Sequence, residues 1–165
     1  MENFSGLTPE EKARLLDLEK SVELDKAKPI IKKDFLSFVK YVWPEFIEGS
    51  HHKKINKKFN DLAQGKIKRL IINMPPRHTK SEFASYLLPA WMVGLDPRLK
   101  IIQATHTADL AVDFGRKTKN LVDQPNYKQL FDTRLMEDSQ AAGKWKTEQG
   151  GEYFAAGVGG AITGR

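Results

Sequence analysis

The stretch Leu70-Ile71-Ile72-Asn73-Met74-Pro75-Pro76-Arg77-His78-Thr79-Lys80-Ser81 decides the fold. Residues 70–74 are a short apolar run bounded by Arg69 and a proline pair, the composition of a buried parallel strand. Residues 81–93 are helical in composition, with Phe83, Ala84, Leu87, Leu88 and Trp91 at helical spacing, Pro89 predicting a kink and Gly94 a stop. Residues 100–104 read as a second strand. Strand, turn, helix and strand in that order predict a βαβ unit with a right-handed crossover.

Phosphate-binding loops are turns that leave a strand and open a helix. Backbone N–H groups and the helix amino terminus converge on an anion, a lysine ammonium neutralises charge, and the following hydroxyl holds Mg²⁺. Lys80 and Ser81 fill the last two roles. Against the G-x-x-x-x-G-K-[ST] template, Met74 stands at the first glycine and Thr79 at the second. On pattern alone the stretch is equally an ordinary proline-containing strand-to-helix turn with Ser81 as N-cap. Pro75 and Pro76 donate no N–H, which leaves the amides of residues 77–81 as the anion cradle. Thr79 lacks the freedom of glycine, so the loop is expected to choose a backbone that tolerates a β-branched residue there.

Outward from this centre, Thr8, Pro9 and Glu11 form a capping signature for a first helix with Leu15, Leu18 and Val22 as its apolar stripe. The lysine-rich residues 26–33, interrupted by Pro29, read as a connector. Asp34 caps a second helix carrying Phe35, Phe38, Val39, Val42 and Trp43, ended by Pro44. Ile55, Phe59 and Leu62 mark a third, stopped at Gly65. Its outer face carries Lys53, Lys54, Lys57 and Lys58, a solvated face or a DNA contact. His51 and His52 are adjacent, hence on different helix faces, and read as a surface or capping pair. Thr107 caps a helix through Val122, with Leu110, Ala111, Phe114 and Leu121 inward and Pro125 closing it. Trp145, Thr147, Tyr153, Phe154 and Ala155 flank Gln149-Gly150-Gly151 as a hairpin. The sum is an α/β chain: a P-loop NTPase-like, three-layer core with a parallel sheet over residues 66–165, preceded by a helical amino-terminal extension over residues 1–65.

With 40% apolar residues, nine Phe, three Trp and four Tyr, 165 residues supply the core of one ordinary domain, not a disordered tail. The net charge of +6 permits a polyanionic partner. No cysteine means no disulfide framework or thiolate metal site, and an intracellular setting is the simpler expectation. The amino terminus lacks a signal-peptide pattern and no run approaches a membrane span, so a soluble, unprocessed protein is expected.

The residues Pro-Pro-Arg-His-Thr-Lys-Ser (75–81) after an apolar strand resemble the divergent Walker A loop of phage terminase large subunits. Residues 65–74, Pro89-Ala90-Trp91, Gly94-Leu95-Asp96-Pro97, the strand 100–105 and the closing Gly-Val-Gly-Gly-Ala-Ile-Thr-Gly of 157–164 are similar to that family too, so the resemblance covers roughly residues 35–165. It implies ATP and Mg²⁺ as cofactors, bound by Pro76, Arg77, His78, Thr79, Lys80 and Ser81. Lys80 would contact the β- and γ-phosphates, Ser81 would reach Mg²⁺, and Arg77 would sense or stabilise the γ-phosphate. It places Trp43 and residues 51–54 loosely near the adenine, although Trp43 also sits on an apolar helix stripe. Gln103 and His106 fall where ligands meet a strand's carboxyl end. The implied setting is a ring of copies on the procapsid in the host cytoplasm, with double-stranded DNA, a portal protein and a small terminase subunit as partners.

ATP hydrolysis also needs an apolar strand ending in an acid for Mg²⁺, followed by a Glu that orients water. Leu110-Ala111-Val112-Asp113 has helical surroundings, and Leu135-Met136-Glu137-Asp138 has too short an apolar lead. The chain is therefore expected to be truncated before that strand and the family's nuclease, and deficient in hydrolysis alone. Another P-loop translocase, helicase-like enzyme or nucleotide kinase, and a non-catalytic DNA-binding fragment, are the alternatives.

Overall fold

A computed structural model describes residues 8–159. The glycine-rich stretch from residue 160 onward, part of the family-like close, lies outside them.

Helix α1 (Pro9–Lys33) starts as its capping signature predicts. The Thr8 Oγ1 accepts the Glu11 N–H at 3.3 Å, and Glu11 accepts the Thr8 N–H at 2.8 Å. The expected connector at 26–33 is instead continuous helix, with Pro29 inside it. Lysines and alanine around Pro29 are strong helix formers, and the last turn packs Ile31 into the core, so tertiary burial outweighs the one lost hydrogen bond. Of the apolar stripe on this helix, Leu15 is half-buried, while Leu18 is 62% and Val22 46% exposed.

Helix α2 (Phe35–Val42) is capped by Asp34, whose Oδ2 accepts the Ser37 N–H at 2.9 Å. Helix α3 (Ser50–Ala63) follows and ends in a turn with Gly65 at φ 71°. Two asparagines of α3 fasten it to α2. Asn56 and Asn60 both donate to Asp34 Oδ1 at 2.7 Å, while their own oxygens accept the N–H groups of Leu36 and Phe35. Burial alone would raise the Asp34 pKa, but these donors together with Ser37 hold it below the ordinary carboxylate value.

The helix that begins at Lys80 opens with a π-helical segment, Glu82–Leu87, and continues as α4, Leu88–Leu95. In the wide turn the Leu88 N–H reaches back to the Phe83 carbonyl. Pro89, expected to kink a regular helix, thus sits directly after a widened one. Phe35 anchors the helical layer, its ring edge-on to Phe59, Phe83 and Trp91 at 5.0, 5.3 and 5.6 Å. One buried cluster runs from Ile31 through these rings to Tyr127, Phe131, Trp145 and Tyr153.

The sheet contains β1 (Lys100–Thr105), β2 (Leu135–Ala141), β3 (Lys144–Thr147) and β4 (Glu152–Gly157) in the order β1-β4-β3-β2. Only β1 and β4 are parallel; β4–β3 and β3–β2 are antiparallel, so the sheet is mixed where a parallel one was expected. The reason is local. The hairpin foreseen at Gln149-Gly150-Gly151 forms, and a second turn at Ala142-Gly143 adds β2, whose polar sequence LMEDSQA concealed it.

Between β1 and β2 run α5 (Ala108–Asp123), capped by Thr107 as expected, and α6 (Pro125–Leu130), which Pro125 opens as it closes α5. On α5, Ala111, Phe114 and Leu121 are buried, whereas Leu110 is 46% exposed instead of inward. α5 lies across β1 and β4. On the opposite side of β1, Ile102 is 54% exposed, so the described residues cover β1 with helix on one face only, not in three layers.

The largest departure concerns residues 70–74. They are extended and alternate in exposure, with Leu70, Ile72 and Met74 against the core and Ile71 87% exposed, but they pair with no described strand. Strand identity requires a ladder as well as an apolar run, and none is offered here. The expected βαβ unit is therefore an extended segment, helix and strand. Among the described residues no helix is long and apolar enough to cross a membrane.

Candidate functional site

The turn between the extended segment and the helix collects the residues singled out above. Pro76, Arg77 and His78 are exposed, Thr79 and Lys80 are half-buried, and Ser81 lies exposed in the first turn. The first N–H groups of a helix have no partner within it, so the amides following Thr79 point out of this end.

Two loop residues occupy the left-handed region, Arg77 at φ 62° and Thr79 at φ 59°. The expectation that Thr79 would impose a different backbone is overturned: it adopts the conformation open to the glycine it replaces in the template. For a β-branched residue this costs about 1–3 kcal/mol and persists only where the surroundings enforce it.

The enforcement is visible. His52, expected on the surface or in a cap, is 4% exposed. Its Nδ1 accepts the Gly49 N–H at 2.8 Å and its Nε2 lies 2.7 Å from the Thr79 hydroxyl. Since Nδ1 accepts, the proton sits on Nε2, which donates to Thr79; the hydroxyl then donates to the His78 carbonyl at 2.6 Å. His78 Nδ1 in turn donates to the Pro76 carbonyl at 2.8 Å. The capping half of the His52 expectation holds, since Gly49 has no side chain and the ring at N3 reaches back to its N–H. That N3 position was the sequence signal for this role; nothing in the sequence announced the reach to Thr79.

Burial pushes the His52 pKa below its usual value, and His51 and His78 add to this while Glu48 opposes it. Its ring packs on Phe46 at 4.7 Å and Phe83 at 5.0 Å, and the His51 ring is 3.8 Å away. Lys80 Nζ points back along the loop to the Met74 carbonyl, 3.5 Å distant.

Between the end of α2 and the π-helical segment, an open cleft of about 330 Å³ is lined by Val42, Trp43, Glu82, Tyr86 and Leu87. Trp43 is half-buried, 5.4 Å from Phe46, and joins the core while lining this cleft. Glu82 is paired with Lys117 of α5 at 3.1 Å. Lys53, Lys54, Lys57 and Lys58 are exposed on α3. Gln103 is half-buried in β1 and His106 exposed just beyond it. Asp113 lies on α5, paired with Arg116 at 2.7 Å, and Glu137 and Asp138 are exposed on β2, at the sheet edge opposite β1.

Two cations, a hydroxyl and a helix amino terminus in one turn are a donor set for phosphate oxygens. Among the described residues no group of three His, Cys, Asp or Glu side chains could hold a metal ion. The exposed Ser81 hydroxyl is an oxygen of the kind that would serve a hard divalent cation as a ligand. Comparison with protein-family models, curated proteins and solved structures found no match.

Proposed function

We propose that residues 75–81 form a nucleotide-phosphate loop and that the chain is the ATP-binding part of a viral DNA-packaging ATPase of the terminase large-subunit type, with a P-loop NTPase-like core. One observation carries the reading. Lys80 and Ser81 open a helix at the end of the turn that follows the apolar segment 70–74, and Thr79 before them holds a left-handed φ of 59°, a backbone that glycine enters freely.

In this proposal the amides after Thr79 and the Lys80 ammonium hold the β- and γ-phosphates, Arg77 faces the γ-phosphate, and Pro76 and His78 shape the approach. Bound Mg²⁺ supplies charge neutralisation on the phosphate oxygens, and Ser81 would be its protein ligand. The cleft lined by Trp43 is where a base would rest. Asp113 is paired with Arg116 on α5, and Glu137 and Asp138 lie on the edge strand β2; this chain is proposed to bind nucleotide and to be deficient in hydrolysis by itself. The proposed setting is a homo-oligomeric ring on the procapsid in the host cytoplasm, with double-stranded DNA, portal protein and small terminase subunit as partners.

Equilibrium binding of a fluorescent ATP analogue with Mg²⁺ tests the loop. Lys80→Ala is expected to weaken binding at least about tenfold, the worth of a charge-assisted bond to phosphate. Equal affinity of a folded Lys80→Ala variant and the parent chain would overturn the reading. Salt-sensitive DNA binding indifferent to nucleotide would favour the α3 lysines acting alone.

A further inference from the structure

We propose that His52 is a positioning residue for this loop: its neutral ring, anchored on Gly49, holds the Thr79 hydroxyl and so keeps the loop in the left-handed backbone that the phosphate cradle requires. The inference rests on the phosphate-loop reading and adds a residue to it from 27 positions upstream.

The chemistry is specific to this chain's Thr79. A glycine at the last position before the lysine enters the left-handed region freely, whereas threonine resists it through its Cβ. Left to itself, Thr79 would relax toward negative φ and turn the amides after it away from one another. The 2.7 Å contact from His52 Nε2 and the 2.6 Å bond onward to the His78 carbonyl tie the hydroxyl from two sides. The ring providing this hold is itself fixed, buried among Phe46 and Phe83 and bonded to Gly49 at 2.8 Å. A latch of this kind raises the fraction of molecules with a binding-ready loop, and apparent affinity scales with that fraction.

A double-mutant cycle in ATP-analogue affinity, with Mg²⁺ and the whole chain, tests the latch. His52→Ala and Thr79→Val are each expected to weaken binding about tenfold, because each frees the loop to leave its binding-ready conformation. In the Thr79→Gly background His52→Ala is expected to cost less than about twofold, since glycine needs no latch. His52→Gln, whose amide can donate in place of Nε2, should recover part of the loss. Equal losses from His52→Ala in both backgrounds would overturn the latch in favour of plain packing, and so would no loss in either. Should His52→Ala not fold, Thr79→Val against Thr79→Gly decides the matter, equal affinities overturning the proposal. A parent chain that binds no nucleotide overturns the phosphate-loop reading and the latch's role with it. Binding that is sensitive to Lys80→Ala and indifferent to His52→Ala overturns the latch alone.

Discussion

The Trp145 indole of β3 donates its Nε1–H to the Gly115 carbonyl of α5 at 3.2 Å, joining the sheet to the helix that crosses it. The same indole stacks on Tyr153 of β4, with 5.0 Å between centroids and 5° between planes. So close an approach requires a residue without a side chain at 115. A Cβ there would stand 2.5 Å from the Ala142 carbonyl oxygen and 3.0 Å from the Tyr153 ring.

Gly115→Ala is therefore expected to destabilise the fold although alanine is the better helix former. The propensity gain is about 1 kcal/mol, whereas forcing backbone apart in a packed core costs about 1–3 kcal/mol. A chemical-denaturation midpoint below that of the parent chain is the expected result; a higher midpoint would show that the β2–β3 turn yields freely.

Asn60→Ala should cost about 2 kcal/mol, because it strips one donor from Asp34 and leaves the Phe35 N–H without its acceptor. The Asn56→Ala change should behave alike, and the pair should be non-additive because both serve Asp34. Denaturant unfolding of the two single variants and the double variant checks this.

These contacts also show what the amino-acid order disclosed. The caps at Thr8, Asp34 and Thr107, the hairpin at Gln149-Gly150-Gly151 and the helix after Lys80 were legible because each depends on neighbours a few residues away. Residues 70–74 misled because their composition is that of a strand, while pairing depends on a distant partner. β2 was hidden by its polar edge position, and Pro29 by burial at Ile31 that outweighs a local rule. At the site, the residue types of the loop were readable, but the φ of Thr79 and the burial of His52 are products of helix α3 lying against it.

Arg77→Ala is expected to weaken the ATP analogue more than the ADP analogue, by about fivefold, if its guanidinium meets the terminal phosphate. Parallel titrations with both nucleotides measure the ratio. An unchanged ratio would leave Arg77 as a loop cation with no part in phosphate discrimination.

The His52 imidazole gives stability a pH dependence of definite sign. Burial holds its folded-state pKa below the ordinary histidine value of about 6.5, so the unfolded chain binds the extra proton first. The contribution is complete above about pH 6.5 and is lost as pH falls through the lowered value. His52→Gln should flatten the stability profile of the parent chain below pH 6.5. Denaturation midpoints across that range, with His51, His78 and Glu48 left intact, provide the comparison; parallel profiles would reassign the slope to those neighbours.

The widened turn at Glu82–Leu87 holds one residue more than a regular helix would over the same rise. Since each α-helical residue advances about 100° around the axis, that surplus sets the azimuth at which Lys80 and Ser81 leave the helix, independently of the face that Trp91 and Val93 press into the core. The loop and the core are thus phased separately along one rod. Deleting a single residue between 82 and 87 would leave both ends chemically intact and rotate one against the other, aiming the lysine away from the turn that Arg77 and Thr79 shape.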